Sequence, residues 1–440
     1  MKNYDLAIIG SGPGGYVAGL YASGLKLSVC IIEKGLVGGT CLNRGCIPTK
    51  ALLNSASIIS TIKDSSLHGI EVGTPKVNFP KVMLRKNEVV SRLHAGIETL
   101  FRARKVDLIR GQAKLISSGT IIIDDKEGIA AKSIIIASGS TPAELPNMKF
   151  DGLNILSSDT VLDIKELPGS ITVIGGGVIG CEFASMFNAF GTKVTIIELM
   201  DRLISVQSRE ASKRIESIFK KRGMDIYTST KIESVSIESE KVLVSVGRRP
   251  STDGLGLEEL KIKTEKSRIV VDDGLRTSVK NIYAIGDCVS GPQLAHKASY
   301  DGILAVDNIL GGSRVRDYSN IPNCIWTEPE IASVGLTEEE AKVKYQDLHI
   351  AKFPYLASGK AFILGKNEGF AKVIGSSKGD IIGVEIFGVG ACELIAEAVM
   401  ARTIGLNIKD WAHVVHGHPT LSEILQEAAR IFCGTPIHSI

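Results

Sequence analysis

The sequence predicts an α/β fold: two Rossmann-like dinucleotide-binding domains followed by a C-terminal α+β domain. Two observations carry this prediction. A glycine-rich strand–turn–helix–strand pattern occurs twice at a fixed offset, and the last quarter of the chain alternates strand-like and helical segments without that pattern. The 440 residues accommodate two to four domains at roughly 100 to 200 residues each. Hydrophobic residues make up 44% and charged residues 22%, the balance of a chain able to bury large cores. With 51 Lys and Arg against 48 Asp and Glu, the net charge of +3 carries no broad electrostatic footprint for nucleic acid. Small molecules and proteins are the expected partners. No apolar run reaches the length of a membrane span. The segment MKNYDLAIIGSG has Asp5 where a secretory signal is apolar and lacks the Arg-rich character of a transit peptide, so a cytoplasmic location is expected.

The first unit reads YDLAIIGSGPGGYVAGLYASGLKLSVCIIEK: a short apolar strand, then Gly10, Gly12 and Gly15 at a turn, a helical stretch, and a second strand ending at Glu33. The second reads ITVIGGGVIGCEFASMFNAFGTKVTIIEL, with Gly175, Gly177, Gly180 and Glu198 in the same places, each offset by 165 residues. Glycines at such a turn let backbone N–H groups approach a pyrophosphate at a helix N-terminus, and an acid after the second strand accepts bonds from ribose hydroxyls. Between the units, a helical pattern over Lys81–Arg104 places Val89, Leu93, Ile97 and Leu100 on one stripe. The runs Ile121–Ile123 and Ser133–Ile136 then predict a small meander closing the first domain near Gly139. From Asn320 onward, strands around Ile325, Val373 and Ile386 and helices around Glu393 and Leu425 form the separate α+β domain.

Eight cysteines are too few for a disulfide scaffold. Six of them, Cys30, Cys181, Cys288, Cys324, Cys392 and Cys433, stand among small or apolar neighbours and read as inert thiols. Only Cys41 and Cys46, in GGTCLNRGCIPTKALL, form a close pair. In a regular helix that spacing separates the Cα atoms by about 8 to 9 Å, too far for a bridge, so a redox pair requires a distorted turn. Gly45 supplies the freedom, and Pro48 marks the start of a helix over Ile47–Leu53. The competing readings are two buried thiols and half of a metal site, the latter lacking CxxC spacing or a nearby His. Lys50 lies one helical turn after Cys46, where it either favours a thiolate or is simply solvated. Glu182 is either a first-turn acid or the partner of that lysine.

The segment GGTCLNRGCIPTK, placed after one fingerprint and before another, resembles the active-site signature of the FAD-dependent pyridine nucleotide–disulfide oxidoreductases. The resemblance extends through VGRRP at Val246–Pro250, TSVKNIYAIGD at Thr277–Asp287, LAHKAS at Leu294–Ser299 and TEPEIASVGLTEEEAK at Thr327–Lys342. It implies that the first unit binds FAD and the second NAD, with Gly139, Gly247 and Asp287 among the cofactor-binding residues and Lys50 paired with Glu182 near the flavin. The implied divisions are an FAD-binding domain over 1–141, an NAD-binding domain over 142–268, a central segment over 269–315 completing the FAD site, and a dimerisation domain over 316–440. A redox-active disulfide between Cys41 and Cys46 and a homodimer are implied with them.

The motif HGHPTLSE separates members of the family. By spacing alone, Thr420 and Glu423 form a T-x-x-E capping box opening the helix that carries Leu425 and Ala429, and His416 and His418 are exposed loop residues. The resemblance instead makes His418 the acid–base catalyst and Glu423 its orienting carboxylate, and one carboxylate can serve both ends. Glutathione reductase has a similar motif but usually carries Ser where this chain has Leu421. The implied reaction is oxidation of a protein-bound dihydrolipoyl group with NAD, the partners being lipoyl domains of a 2-oxo acid dehydrogenase or glycine cleavage complex. The alternative is disulfide reduction of the glutathione reductase type with a reduced nicotinamide. Two departures stand out. Glu233–Glu240 runs almost directly into Lys241–Val246, too short for the family's β-meander, and LAHKASYDG has Tyr300 and Asp301 ahead of Gly302, where acids are usual.

Overall fold

A computed structural model describes residues 1–438. Lys2–Ile9 is the central strand of the first sheet, parallel to Val29–Glu33 on one side and Glu127–Ile136 on the other, with Val106–Arg110 outside Val29–Glu33. Its residues Leu6, Ala7 and Ile8 are fully buried. Strands covered on both faces read as unbroken apolar runs, as this one does. The expected meander is present: Ala113–Ser117, Thr120–Ile123 and Glu127–Ile136 pair antiparallel. Late in the chain, Ile282–Ala284 returns to pair with Glu127–Ile136, carrying Asp287 to the first sheet.

The second unit is a five-stranded sheet, parallel throughout, in the order Asp225–Tyr227, Lys193–Ile197, Ser170–Ile174, Lys241–Val244, Ile155–Ser157. No strand lies between Asp225–Tyr227 and Lys241–Val244. The short connection instead lays Ile232 and Ile237 over Ile174, Val242 and Val244, so the apolar face stays covered. The third sheet is antiparallel, in the order Asn323–Ile325, Ile331–Gly335, Ile381–Phe387, Phe370–Ser376, Leu348–Pro354, with the helices Ala391–Thr403 and Glu423–Phe432 packed on it.

Three expectations are corrected. The long helix runs Phe79–Arg104, but its buried face follows Phe79, Lys86, Ile97 and Phe101, while Leu93 and Leu100 lie on a stripe left exposed among the described residues. The chain leaves the second unit at Arg248–Pro250, which pairs with Ser140–Pro142, well before residue 268. Leu255, Leu257 and Ile262 then bury in the first unit's core against Ala113 and Leu115, because the meander needs a cover on its outer face. Finally, the helix after Cys46 extends over Cys46–Lys63 rather than ending at Leu53. Its Leu52, Leu53 and Ala56 join one core with Phe183 and Phe187 of the second unit and Ile325 and Phe387 of the third. That shared core brings the three units together around the two cysteines. No helix among the described residues is long and apolar enough to cross a membrane.

The departure at Asp301 proves structural. Lys297 and Asp301 are fully buried and paired at 2.8 Å, Lys297 Nζ donates to Gly286 O, and Asp301 accepts from Gly286 N and the Tyr318 hydroxyl. The pair thus clamps the turn that presents Asp287. Removing one partner of a buried pair strands the other charge, so Asp301→Asn should cost about 3–5 kcal/mol and lower the thermal midpoint. Melting curves followed by circular dichroism check this; an unchanged midpoint for Asp301→Asn would refute it.

Candidate active site

The two glycine turns repeat in geometry as well as in sequence. Gly10 and Gly175 have φ of +100° and +103°. A Cβ on Gly15 would lie 1.9 Å from Gly10 O, and one on Gly180 would lie 2.0 Å from Gly175 O, so the helix can approach the turn only through glycine. Glu33 accepts from Ser11 N at 2.8 Å and Gly35 N at 2.7 Å; Glu198 accepts from Gly176 N and, at 2.7 Å, Met200 N. Both helices, Pro13–Gly24 and Val178–Phe190, begin at a glycine with no side-chain cap, leaving their first N–H groups to an anion.

Both turns face one cavity of about 1650 Å³, which is also lined by Cys41, Cys46, Lys50, Glu182, Gly139, Gly247 and Asp287. Gly12, Glu33, Gly177 and Glu198 border it as well, while Gly15 and Gly180 stand behind its wall. The distorted turn between the cysteines is a break between two helices, Gly39–Arg44 and Cys46–Lys63. A Cβ at Gly45 would stand 3.0 Å from Thr40 O and 3.3 Å from the Cys41 Cα, so the break closes tightly only with glycine there. Cys41 and Cys46 are free thiols on either side of the break, and a thiol–thiol hydrogen bond between them is the main influence on their acidity. That bond, helped by the Lys50 charge, lowers Cys46 to about 7 against the effect of burial. The same bond and burial push Cys41 well above the ordinary thiol range. Cys46 is thus the sulfur that ionises first, and Cys41 the one that keeps its proton.

Lys50 does not point into solvent. Its Nζ lies 3.0 and 2.8 Å from the two carboxylate oxygens of Glu182 and 4.3 Å from the centre of the Trp326 ring, and Glu182 Oε1 also accepts from Trp326 N at 3.0 Å. Sequence reasoning missed Trp326, although it directly precedes the TEPEIASVG segment. It also missed the support of Asp287: Ser140 Oγ donates to Asp287 at 2.6 Å, and Arg248 holds Ser140 by Nε to Oγ and by a second N–H to the carbonyl, both at 2.8 Å.

His418 and Glu423 lie outside this cavity. His418 is 80% exposed, its Nδ1 2.9 Å from Glu423 Oε1, while Glu423 Oε2 accepts from Thr420 N at 2.8 Å. Glu423 therefore serves both ends, but the capping box is only half formed, because Thr420 Oγ1 accepts from no helix N–H and instead donates to Gly417 O. Burial raises the Glu423 carboxyl, yet the His418 and Thr420 bonds hold it below its usual range. His416 is not a free loop residue: its imidazole is buried against Glu397 Oε1 at 2.8 Å, which Trp411 Nε1 also reaches. Cys324 and Cys392, read from the sequence as inert thiols, meet at the strand–helix boundary of the third unit, Cys324 Sγ 3.9 Å from Cys392 O and Cys392 Sγ 3.6 Å from Ile325 O.

The family described as pyridine nucleotide-disulphide oxidoreductase matches residues 4–302, and its dimerisation domain matches residues 321–429. The chain belongs to this family. Among curated relatives, a dihydrolipoyl dehydrogenase of Bacillus subtilis is 40% identical over 469 aligned positions, covering 99% of each chain, and one of Geobacillus stearothermophilus is 42% identical, covering 99% of this chain and 97% of its own. The first alignment is longer than the 440 residues here, so that relative carries residues this oxidoreductase lacks. Among solved structures, LpdA of Mycobacterium tuberculosis superposes with a TM-score of 0.91 at 26% identity, covering 98% of this chain and 99% of that one. The HOCl-induced flavoprotein disulfide reductase RclA of Escherichia coli reaches 0.88 at 29% identity, covering 97% and 100%.

Members of this family use FAD and a nicotinamide dinucleotide. The residues of this oxidoreductase fit both. Two uncapped helix ends with paired acids match two pyrophosphate–ribose units, and the buried polar atoms Ser138 Oγ, Asn43 Oδ1 and Gln293 Nε2, on residues that border the cavity, have no partner within the protein.

The asymmetry of the thiol pair is open to titration. In the reduced protein, alkylation of Cys46 by iodoacetamide should rise with pH through a midpoint of about 7, because only the thiolate reacts and it accumulates above the thiol's pKa. Cys41→Ala should move the midpoint upward most and Lys50→Met less. A profile unmoved by both variants would contradict the assignment.

Proposed function

We propose that the protein is a dihydrolipoyl dehydrogenase, a homodimer that oxidises protein-bound dihydrolipoamide to lipoamide and reduces NAD. The observation that carries this reading is the placing of Cys41 and Cys46 on either side of the helix break at Gly45, in a cavity bounded by two dinucleotide cradles. The likeness to dihydrolipoyl dehydrogenases along the whole chain supports it.

The Nδ1 of His418 is engaged by Glu423, so Nε2 is the position that accepts a proton from the first thiol of the lipoyl group. The resulting lipoyl thiolate attacks Cys41 Sγ of the oxidised pair, the Cys41–Cys46 bond breaks, and Cys46 leaves as a thiolate favoured by the Lys50 charge. The second lipoyl thiol then attacks the first lipoyl sulfur to close the lipoyl disulfide, and its proton passes to the departing Cys41, as that thiol's raised pKa favours, while the first proton stays on His418. Gly10, Gly12, Glu33, Gly139 and Asp287 hold FAD, with Lys50 and Glu182 beside it, and Gly175, Gly177, Glu198 and Gly247 hold NAD. Gly15 and Gly180 keep each helix close to its turn. The flavin, when bound, supplies the hydride transfer to NAD that no side chain can perform. Glu198, with both oxygens already on backbone N–H groups, meets the adenosine ribose with negative charge and opposes a 2′-phosphate. The expected partners are lipoyl domains of a 2-oxo acid dehydrogenase or glycine cleavage complex, in the cytoplasm.

Turnover of the FAD-loaded protein tests the reading directly. Dihydrolipoamide with NAD should be oxidised far more efficiently than glutathione disulfide is reduced with NADPH, and NADP should replace NAD poorly. His418→Gln should lower kcat/KM by about 10² to 10⁴. The reverse substrate preference would point to the glutathione reductase type.

Because His418 lies outside the cavity that holds Cys41 in the same chain, a site completed across a two-fold axis requires both copies. Inactive Cys41→Ser and His418→Gln chains, unfolded and refolded together, should then regain about a quarter of wild-type activity, since about half the dimers are mixed and each has one intact site. No recovery from mixed, flavin-loaded dimers would refute the shared site.

A further inference from the structure

The proposed reaction leaves a second pair of thiols unused. Cys324 lies in the strand Asn323–Ile325 that leads to Trp326, and it borders the cavity. Cys392 occupies the first turn of the helix Ala391–Thr403. Cys324 Sγ is 3.9 Å from the carbonyl oxygen of Cys392, and Cys392 Sγ is 3.6 Å from Ile325 O and 3.9 Å from Ile331 O. Glu330 accepts from Cys392 N at 2.9 Å and so fixes the helix end against the strands. Each sulfur thus faces the backbone of the other's element, which places the two thiols side by side between strand and helix.

The chemistry of the pair parallels that of Cys41 and Cys46. The hydrogen bond from Cys392, aided by the Lys50 charge, holds Cys324 below the ordinary thiol range. The same bond, burial and Glu330 push Cys392 above it. The remaining buried cysteines, Cys30, Cys181 and Cys288, are all shifted upward by burial. A metal site is a poor alternative, because no group of three or more His, Cys, Asp or Glu that could hold an ion occurs among the described residues.

We propose that Cys324 and Cys392 form an oxidation site at which a hydroperoxide converts the two thiols into a disulfide. The Cys324 thiolate attacks the terminal peroxide oxygen, the O–O bond breaks, and hydroxide or alkoxide leaves and takes from solvent a proton equal to the one Cys324 lost on ionising, giving a sulfenic acid on Cys324 and water or an alcohol. The Cys392 sulfur then attacks the Cys324 sulfur, the S–O bond breaks, and the hydroxyl departs as water with the Cys392 proton. One hydroperoxide is reduced by two electrons and two thiols are oxidised; a dithiol reverses the bond. Both cysteines are only partly buried, and Cys392 protects Cys324 from irreversible oxidation. The inference holds whether or not a lipoyl group is the substrate.

The test uses the FAD-loaded wild-type protein, treated with hydrogen peroxide at a dose that converts the exposed Met400 to its sulfoxide, then blocked with N-ethylmaleimide and digested without reductant. Mass spectrometry should find the Cys324 and Cys392 peptides linked, two hydrogens lighter than their sum, and released by dithiothreitol. In Cys392→Ser the link should vanish and Cys324 should reach the sulfinic acid. If both cysteines of the wild type are instead alkylated, or Cys324 is sulfinylated or linked to another cysteine, the proposal is overturned.

Discussion

The contact on which the site depends is the cluster of Lys50, Glu182 and Trp326. Each residue comes from a different unit: the cysteine helix, the first helix of the second sheet, and the strand end of the third. Glu182 is almost fully buried, and a carboxylate in that position needs both a counter-charge and donors. Lys50 and the Trp326 N–H provide them, and the tryptophan ring covers the ammonium. The apolar core beneath, with Leu52, Phe183 and Ile325 in one cluster, sets the three elements at the distance this requires. A shift of any unit would leave a buried charge unpaired, so the constraint locks the thiol pair to both cradles.

The duplicated cradles show what a repeat preserves. Between the units the turn glycines, the uncapped helix starts and the acid that bonds the turn and the residue two positions on are retained, because each meets a steric or hydrogen-bonding demand within about 30 residues of chain. The parallel strand order around the central strand is retained as well, and the divergence lies in what covers each sheet. The first unit carries a meander roofed by residues of the later chain, whereas the second omits one and covers its sheet with Ile232 and Ile237. Both solutions bury the same kind of apolar face, which is why the shorter unit still closes.

This division also explains how far the sequence could be read. The cradles, the broken turn at Gly45 and the strands near Ile325, Val373 and Ile386 depend on nearest neighbours and on period, and they were legible. The stripe on Phe79–Arg104 was misjudged because hydrophobic period identifies a face without saying which stripe of it finds a partner. The crossing at Arg248–Pro250, the clamp of Lys297 and Asp301, and the meeting of Cys324 with Cys392 join residues that are close only after folding or that carry no motif. The half-formed cap at Thr420 is a different lesson. Its spacing suits a box, but the Glu423 carboxylate is shared with His418, and the threonine hydroxyl turns to Gly417.

The electrostatics of the thiol pair follow from the same cluster. Lys50 lowers Cys46, but Glu182, which neutralises the lysine, acts on Cys46 in the opposite sense. The carboxylate that fixes the ammonium in place therefore also limits its effect, and the Cys41 hydrogen bond contributes the largest share of the lowering. A pKa of about 7 is a compromise with chemical value. A far lower value would make Cys46 a good leaving group but a poor nucleophile, because thiolate reactivity falls as its basicity falls. Poised near neutrality, Cys46 can leave when a substrate thiolate attacks Cys41 and can attack again when the bridge reforms, so one sulfur serves both directions of exchange.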